Sequence, residues 1–208
     1  MKSVLLGLVL AASCAFATTV TFDTSVGSTF SCIGYSGGGA CSTPTSTSLR
    51  VDDLILTYTP NAGSVNAPPA TSIGAGDIVA SCFAQATCLT AANFTGATFT
   101  LDIKETGAVT GDAIFTASLS GSQNINSGII RILLTPASRT LVNGATSVTF
   151  TPDQPVLGYP INPVSDNRAT SLQVIVDSTT RDTVPEPSSM ALLASGLIGL
   201  GIFARKKK

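Results

Sequence analysis

Any chemistry in this chain has to be built without histidine. None occurs among its 208 residues, and tryptophan is absent too. That excludes Ser-His-Asp and Cys-His catalytic arrangements, and with them histidine-ligated metals and haem. Carboxylates are the remaining acid/base groups. Asp52 and Asp53 are adjacent in sequence, but on a strand neighbouring side chains point to opposite faces. Such a pair cannot share a proton-transfer task unless a bulge re-aims one member. Asp102 and Glu105, on either side of Lys104, read as solvated charges at the end of a strand. The many serines and threonines have no histidine base, and no S-x-x-K pattern offers a lysine in its place. Calcium could be held by aspartates and loop carbonyls, yet there is no D-x-D-x-D-G loop. The expectation is a chain with no catalytic residues, no metal and no cofactor, not an enzyme, whose carboxylates serve solubility.

The cysteines are the other reactive set. Of five, Cys14 lies within an N-terminal segment expected to be removed, leaving Cys32, Cys41, Cys82 and Cys88. An even number in an exported chain points to two disulfides, and four cysteines allow three pairings. Local pairing is favoured, Cys32 with Cys41 and Cys82 with Cys88. Each pair brackets a short loop, and the glycines between Gly34 and Gly39 let the first one close. Zinc is the competing use, but there is no C-x-x-C, no histidine, and an oxidising compartment disfavours thiolate ligands.

These groups must be positioned by strands. Thr98–Lys104 alternates with Phe99, Leu101 and Ile103 on one face, and Ala113–Leu119 repeats the pattern less strictly. Leu54–Tyr58, Ile129–Leu134 (a run read as buried), Val148 with Phe150, and Leu172, Val174 and Val176 mark further strands. Turn chemistry separates them at Thr106-Gly107, Thr110-Gly111-Asp112, Gly121–Asn124, Asn143-Gly144 and Pro152-Asp153. The polar, proline-rich stretch from Thr59 through Ser64 to Pro68-Pro69 reads as a long surface loop, and Ser36–Gly39 as a flexible one. No internal repeat is present, which counts against a β-helix or propeller. The expected fold is all-β, a single antiparallel β-sandwich (jelly-roll-like) over residues 18–183.

The two ends differ from this domain. Lys2, the apolar run Val4–Ala12 and the small-x-small site Ala15-Phe16-Ala17 have the form of a secretory signal peptide, residues 1–17, cut after Ala17. At the other end a polar hinge, Val184-Pro185-Glu186-Pro187-Ser188, precedes an apolar stretch from Met190 to Ala204 and a basic cluster, Arg205-Lys206-Lys207-Lys208. The prolines keep the hinge extended. The apolar stretch covers roughly 22 Å as a helix, short of a ~30 Å hydrocarbon core unless flanking residues extend it. The four terminal cations stop it on the cytoplasmic side, leaving the domain outside. Over residues 18–187, six basic residues face twelve acidic ones. An acidic domain of this kind, with Lys104 its one lysine, has no electrostatic footprint for nucleic acid.

In its order of hinge, apolar helix and basic end, the segment 184–208 resembles the PEP-CTERM sorting signal of Gram-negative bacteria. The resemblance rests on Val184, Pro185, Glu186, Pro187 and Ser188 and on Arg205, Lys206, Lys207 and Lys208, and is confined to about the last twenty-five residues. It implies recognition by an exosortase, a membrane processing enzyme acting near the Pro-Glu-Pro. It also implies passage across the inner membrane, a C-terminal transmembrane anchor before processing, and a final place at the cell surface or outside the cell with exopolysaccharide. The expected function is that of an exported, non-enzymatic surface or matrix protein. A secreted carbohydrate-binding sandwich is the alternative, with Tyr35, Tyr58 and Tyr159 as candidate rings; a carboxylate-only hydrolase is the third.

Overall fold

The computed structural model describes residues 17–83, 88–166 and 168–180. In this part the chain is written in strands. The first seven are β1 (Thr18–Asp23), β2 (Thr29–Ser31), β3 (Cys41–Thr45), β4 (Ser48–Val51), β5 (Leu54–Pro60), β6 (Ala62–Ala67) and β7 (Thr71–Cys82). Then come β8 (Ala92–Asn93), β9 (Thr98–Glu105), β10 (Gly111–Gln123) and β11 (Gly128–Ile132). The last are β12 (Arg139–Asn143), β13 (Thr146–Pro152), β14 (Tyr159–Ile161) and β15 (Thr170–Thr180). Helical structure among the described residues is one 3₁₀ turn, Val164–Asp166.

All pairing is antiparallel. One sheet runs β14-β11-β10-β9-β1-β6, with β2 beside β9 and β8 beside β10; the other runs β12-β13-β15-β7-β5-β4-β3. Their apolar faces meet in one core, the arrangement of a sandwich. Phe99 of β9 is its centre, with ring centroids 4.8 Å from Phe30 of its own sheet and 5.1 Å from Tyr58 of the opposite one. Half-buried strands form because alternate residues are apolar. On β9, Phe99, Leu101 and Ile103 are buried, and β10 faces them with Ala113, Phe115, Ala117 and Leu119.

Three expectations are corrected. The stretch read as a long loop contains β6, paired along its length with β1 from Thr18↔Ala67 to Asp23↔Ala62. Of its residues Ala67 is the buried one, so backbone pairing and not an apolar face holds it in the sheet. The run Ile129–Leu134 is not buried throughout. Ile130 and Ile132 point inward, while Ile129 and Leu133 are exposed, as a sheet with one solvated face requires. Gly121–Gln123, expected as a turn, prolongs β10 through the pairs Gly121↔Ile130 and Gln123↔Gly128. Gly121 manages this with φ of 98°, open to glycine at little cost.

Disulfides join Cys32 to Cys41 and Cys82 to Cys88, with Cα separations of 5.9 and 5.8 Å, inside the usual range. Both lie at one end of the second sheet, where Cys41 pairs with Val51 and Cys82 with Leu54. Non-reducing peptide mapping is expected to recover these two linkages, and a Cys32–Cys82 peptide would overturn the local pairing. Replacing either pair by serine should lower stability by about 2–3 kcal/mol, from the loop-closure entropy returned to the unfolded chain.

Candidate functional site

The sorting residues Val184, Pro185, Glu186, Pro187 and Ser188, the membrane stop Arg205–Lys208, and Ala15 lie outside the described residues. Ala17 is described, and is exposed immediately before β1. What the structure places is the domain end from which the tail departs. Thr180, the last residue of β15, pairs with Thr146 of β13. The hydroxyl of Ser178 donates to the carbonyl of Ala67, and Ala67 pairs with Thr18. Both ends of the folded domain therefore emerge at one pole. β7 runs from Thr71, level with Val176 at that pole, to Cys82 at the other. Twelve residues of strand put the disulfides roughly 35 Å away.

The candidate carboxylates fall in two places, a turn and strand β9. Asp52 and Asp53, expected on a strand, instead form the turn between β4 and β5. Asp52 has φ of 52°, a left-handed conformation that Asp tolerates better than most residues. Its Oδ1 accepts the Ala40 N–H at 2.9 Å, tying the Cys32–Cys41 loop to the turn. Asp53 forms an ion pair with Arg50 at 3.5 Å, and the Arg50 guanidinium lies 3.6 Å over the centre of the Phe83 ring. These contacts fix a turn beside two disulfides.

Glu105 is the larger correction. Expected as a solvated strand-end charge, it is fully buried. Its Oε1 accepts the N–H groups of Gly107 and Ala108, each at 2.8 Å, and its Oε2 accepts that of Val109 at 2.8 Å. A third, longer bond reaches Oε1 from Thr21 N–H at 3.4 Å. One carboxylate thus satisfies three successive backbone donors of the β9–β10 turn. Its oxygens are committed to the fold.

Asp102 differs. It is half-buried, its Oδ1 is enclosed without a hydrogen-bond partner, and its other oxygen packs so close to Gly27 that a β-carbon there would lie at 2.1 Å. Desolvation raises its pKa above the usual carboxylate value, with the Asp112 charge adding to the effect and Lys104 opposing it. A group whose folded pKa is raised contributes stability below its unfolded value near 3.8 and loses it as pH rises through the folded value. Asp102→Asn is therefore expected to melt about 1–3 °C above wild type at pH 7, a shift kept small by solvent screening. The gap should close in melts taken below about pH 4. A gap that persists at low pH, or a lower melting point at pH 7, would contradict the assignment.

Two of the three candidate sugar-stacking rings are withdrawn into the core. Tyr58 is buried and donates to the carbonyl of Ala75 at 2.6 Å; desolvation raises its pKa. Tyr159 is buried and donates to the carbonyl of Gln173, and desolvation pushes its pKa up to about 12. Only Tyr35 of the three keeps part of its ring outside, and its hydroxyl accepts the Gly39 N–H at 3.1 Å. A groove of about 690 Å³ crosses β1 and β6, with Phe22, Asp23 and Lys104 among its lining. It brings Asp23 and Lys104 together with the hydroxyl residues Thr21, Ser64 and Thr106. Among the described residues no three His, Cys, Asp or Glu side chains converge as metal ligands, and no helix is long and apolar enough to cross a membrane.

Residues 183–208 match the family model for the PEP-CTERM protein-sorting motif, the region whose hinge, apolar stretch and basic end carry the resemblance. The motif implies export, a membrane-anchored C-terminus before processing, and an exosortase as the processing partner. Searches of curated proteins and of solved structures found no match to the chain.

Proposed function

We propose that this chain is an exported, non-enzymatic protein that an exosortase processes at its C-terminal signal and leaves at the cell surface or in extracellular polymer, in association with exopolysaccharide. Residues 1–17 are its signal peptide, residues 18–183 a single sandwich, and residues 184–208 the sorting signal, with Met190–Ala204 as the membrane helix. The observation that carries the reading is the sorting-motif match over residues 183–208. The domain supports it from the other side. The chain has no histidine, Glu105 is spent on backbone donors, and the Asp52-Asp53 pair is spent on a turn. Carboxylates committed in this way suit a structural or adhesive role.

Fractionation combined with intact-mass measurement tests it. In cells with the exosortase, the protein is expected outside the inner membrane at a mass below that of the full chain. In cells lacking the enzyme it should remain with the membrane at a higher mass. Full-length, uncut protein in the cytoplasm of both strains would sink the proposal.

A further inference from the structure

The pole where both chain ends emerge has a distinctive surface. β12 and β13 close there in a tight hairpin, Asn143 pairing with Thr146 across Gly144-Ala145. Gly144, at φ of 59°, has no neighbour within 4 Å of where a β-carbon would stand, so the tip projects freely. Val142 is 68% exposed, and Ala145 is exposed beside it. Behind the tip is a pocket of about 290 Å³ lined by Thr140, Val142 and Ser147 among others. Residues 18–22, 67–72 and 140–149 at this pole contain no charged residue, and the exposed Asp177 of β15 stands opposite Thr149 beside them. The nearest strand end, Thr180, is the partner of Thr146 in the same hairpin.

Chain length then restricts what can stand next to this surface. Four residues separate Thr180 from Pro185, and five Cα steps cover at most roughly 18 Å. An enzyme holding Pro185-Glu186-Pro187 must sit within that distance of the hairpin and roughly 35 Å from the disulfide pole. We propose that the hairpin tip, Val142 to Ala145, with the pocket behind it, is a docking surface for the exosortase during processing. This rests on the functional reading above and adds a second recognition element, inside the folded domain, to the linear signal. The partner surface it fits is uncharged, with apolar groups for Val142 and Ala145 and hydrogen-bonding groups for the threonine and serine hydroxyls. A carboxylate placed at the tip would have to be desolvated against it without a counter-charge.

The test is a pulse-chase of full-length chains in cells containing the exosortase, reading the ratio of precursor to product. V142E/A145E is compared with wild type and with I33E/L89E, which adds the same charge at Ile33 and Leu89, both well exposed at the disulfide pole. Because Val142 and Ala145 are exposed, the variants should fold, and equal resistance to limited proteolysis checks this. V142E/A145E should be processed about tenfold more slowly, with I33E/L89E at the wild-type rate. Eight glycine and serine residues inserted between Thr180 and Arg181 of the wild-type chain should also slow processing, because they free the tip from its place beside the enzyme, and adding V142E/A145E to that chain should slow it no further. Wild-type processing of V142E/A145E, equal slowing of I33E/L89E, or further slowing by V142E/A145E in the spacer chain would each overturn the docking surface and leave the sorting reading in place. A wild-type chain left uncut would overturn both.

Discussion

Glu105→Ala is expected to destabilise the mature protein by about 3–5 kcal/mol, a large share of the roughly 5–15 kcal/mol that holds a domain together. The expectation follows from what the alanine leaves behind. Gly107, Ala108 and Val109 each give a backbone N–H to this carboxylate at 2.8 Å, and the site is fully buried. With the acceptor removed, three donors lose their partner at once, at about 1–3 kcal/mol for each that water cannot reach. Relaxation of the turn toward solvent keeps the total below the sum. Glu105→Gln separates charge from shape. It keeps an oxygen for Gly107 and Ala108 but turns an amide N–H₂ toward the Val109 donor, so a loss of about 1–3 kcal/mol is expected. Denaturant unfolding with the disulfides intact measures both. A loss under about 1 kcal/mol for the alanine variant would mean that the turn finds other acceptors.

The position of Glu105 was written in the sequence. Phe99, Leu101 and Ile103 set a phase that carries two residues further, to the same inward face. Charge type suggested solvent, while strand phase pointed to burial, and the following Thr-Gly turn supplied the donors that made burial tolerable. The strands that could be read from sequence, β5, β9, β10, β13 and β15, have one dry face and one wet face and so write their period into residue types. β3, β6 and β12 are mostly exposed on both faces. Without an apolar face they leave no periodic signal, and their neighbours' backbone groups decide their place.

β7 is hidden for a different reason. Ile73 and Ala75 are buried, and then the phase flips, with Gly76, Ile78 and Ala80 inward. The flip coincides with a register shift against β15 between Ser171 and Gln173, a bulge that breaks any search for strict alternation. Gly76, at φ of 125°, makes it possible. A β-carbon there would stand 2.5 Å from the Tyr58 ring, so the missing side chain is also what lets Tyr58 reach the Ala75 carbonyl. A long-range packing demand of this kind has no local signature. The sorting signal is the opposite case. A membrane enzyme reads it as a linear segment, so its information is complete in the order of residues and needs no fold to assemble it.

That difference sets the expected effect of changing Pro185, Glu186 and Pro187 together to alanine. The apolar stretch Met190–Ala204 and the four cations Arg205–Lys208 are untouched, so insertion and orientation should proceed as in wild type. Processing should not. Each proline fixes its own φ, removes a backbone donor and biases the preceding residue away from helix. Alanine is the strongest helix former, and three in a row would let a membrane helix extend back through the hinge and withdraw the extended segment a protease needs. Glu186 is the one charge among residues 184–189, and a pocket built to pair it would bind the neutral variant poorly. Together these losses should reduce product by about a hundredfold or more, leaving uncut precursor in the membrane. Deleting Arg205–Lys208 should fail differently, with the tail no longer stopped at the cytoplasmic face and the precursor lost from the membrane fraction. Intact mass in strains with and without the exosortase separates the cases. If wild type and the triple alanine variant each keep, in both strains, the mass their own sequence predicts with the tail uncut, the segment is a plain anchor and no enzyme reads the Pro-Glu-Pro.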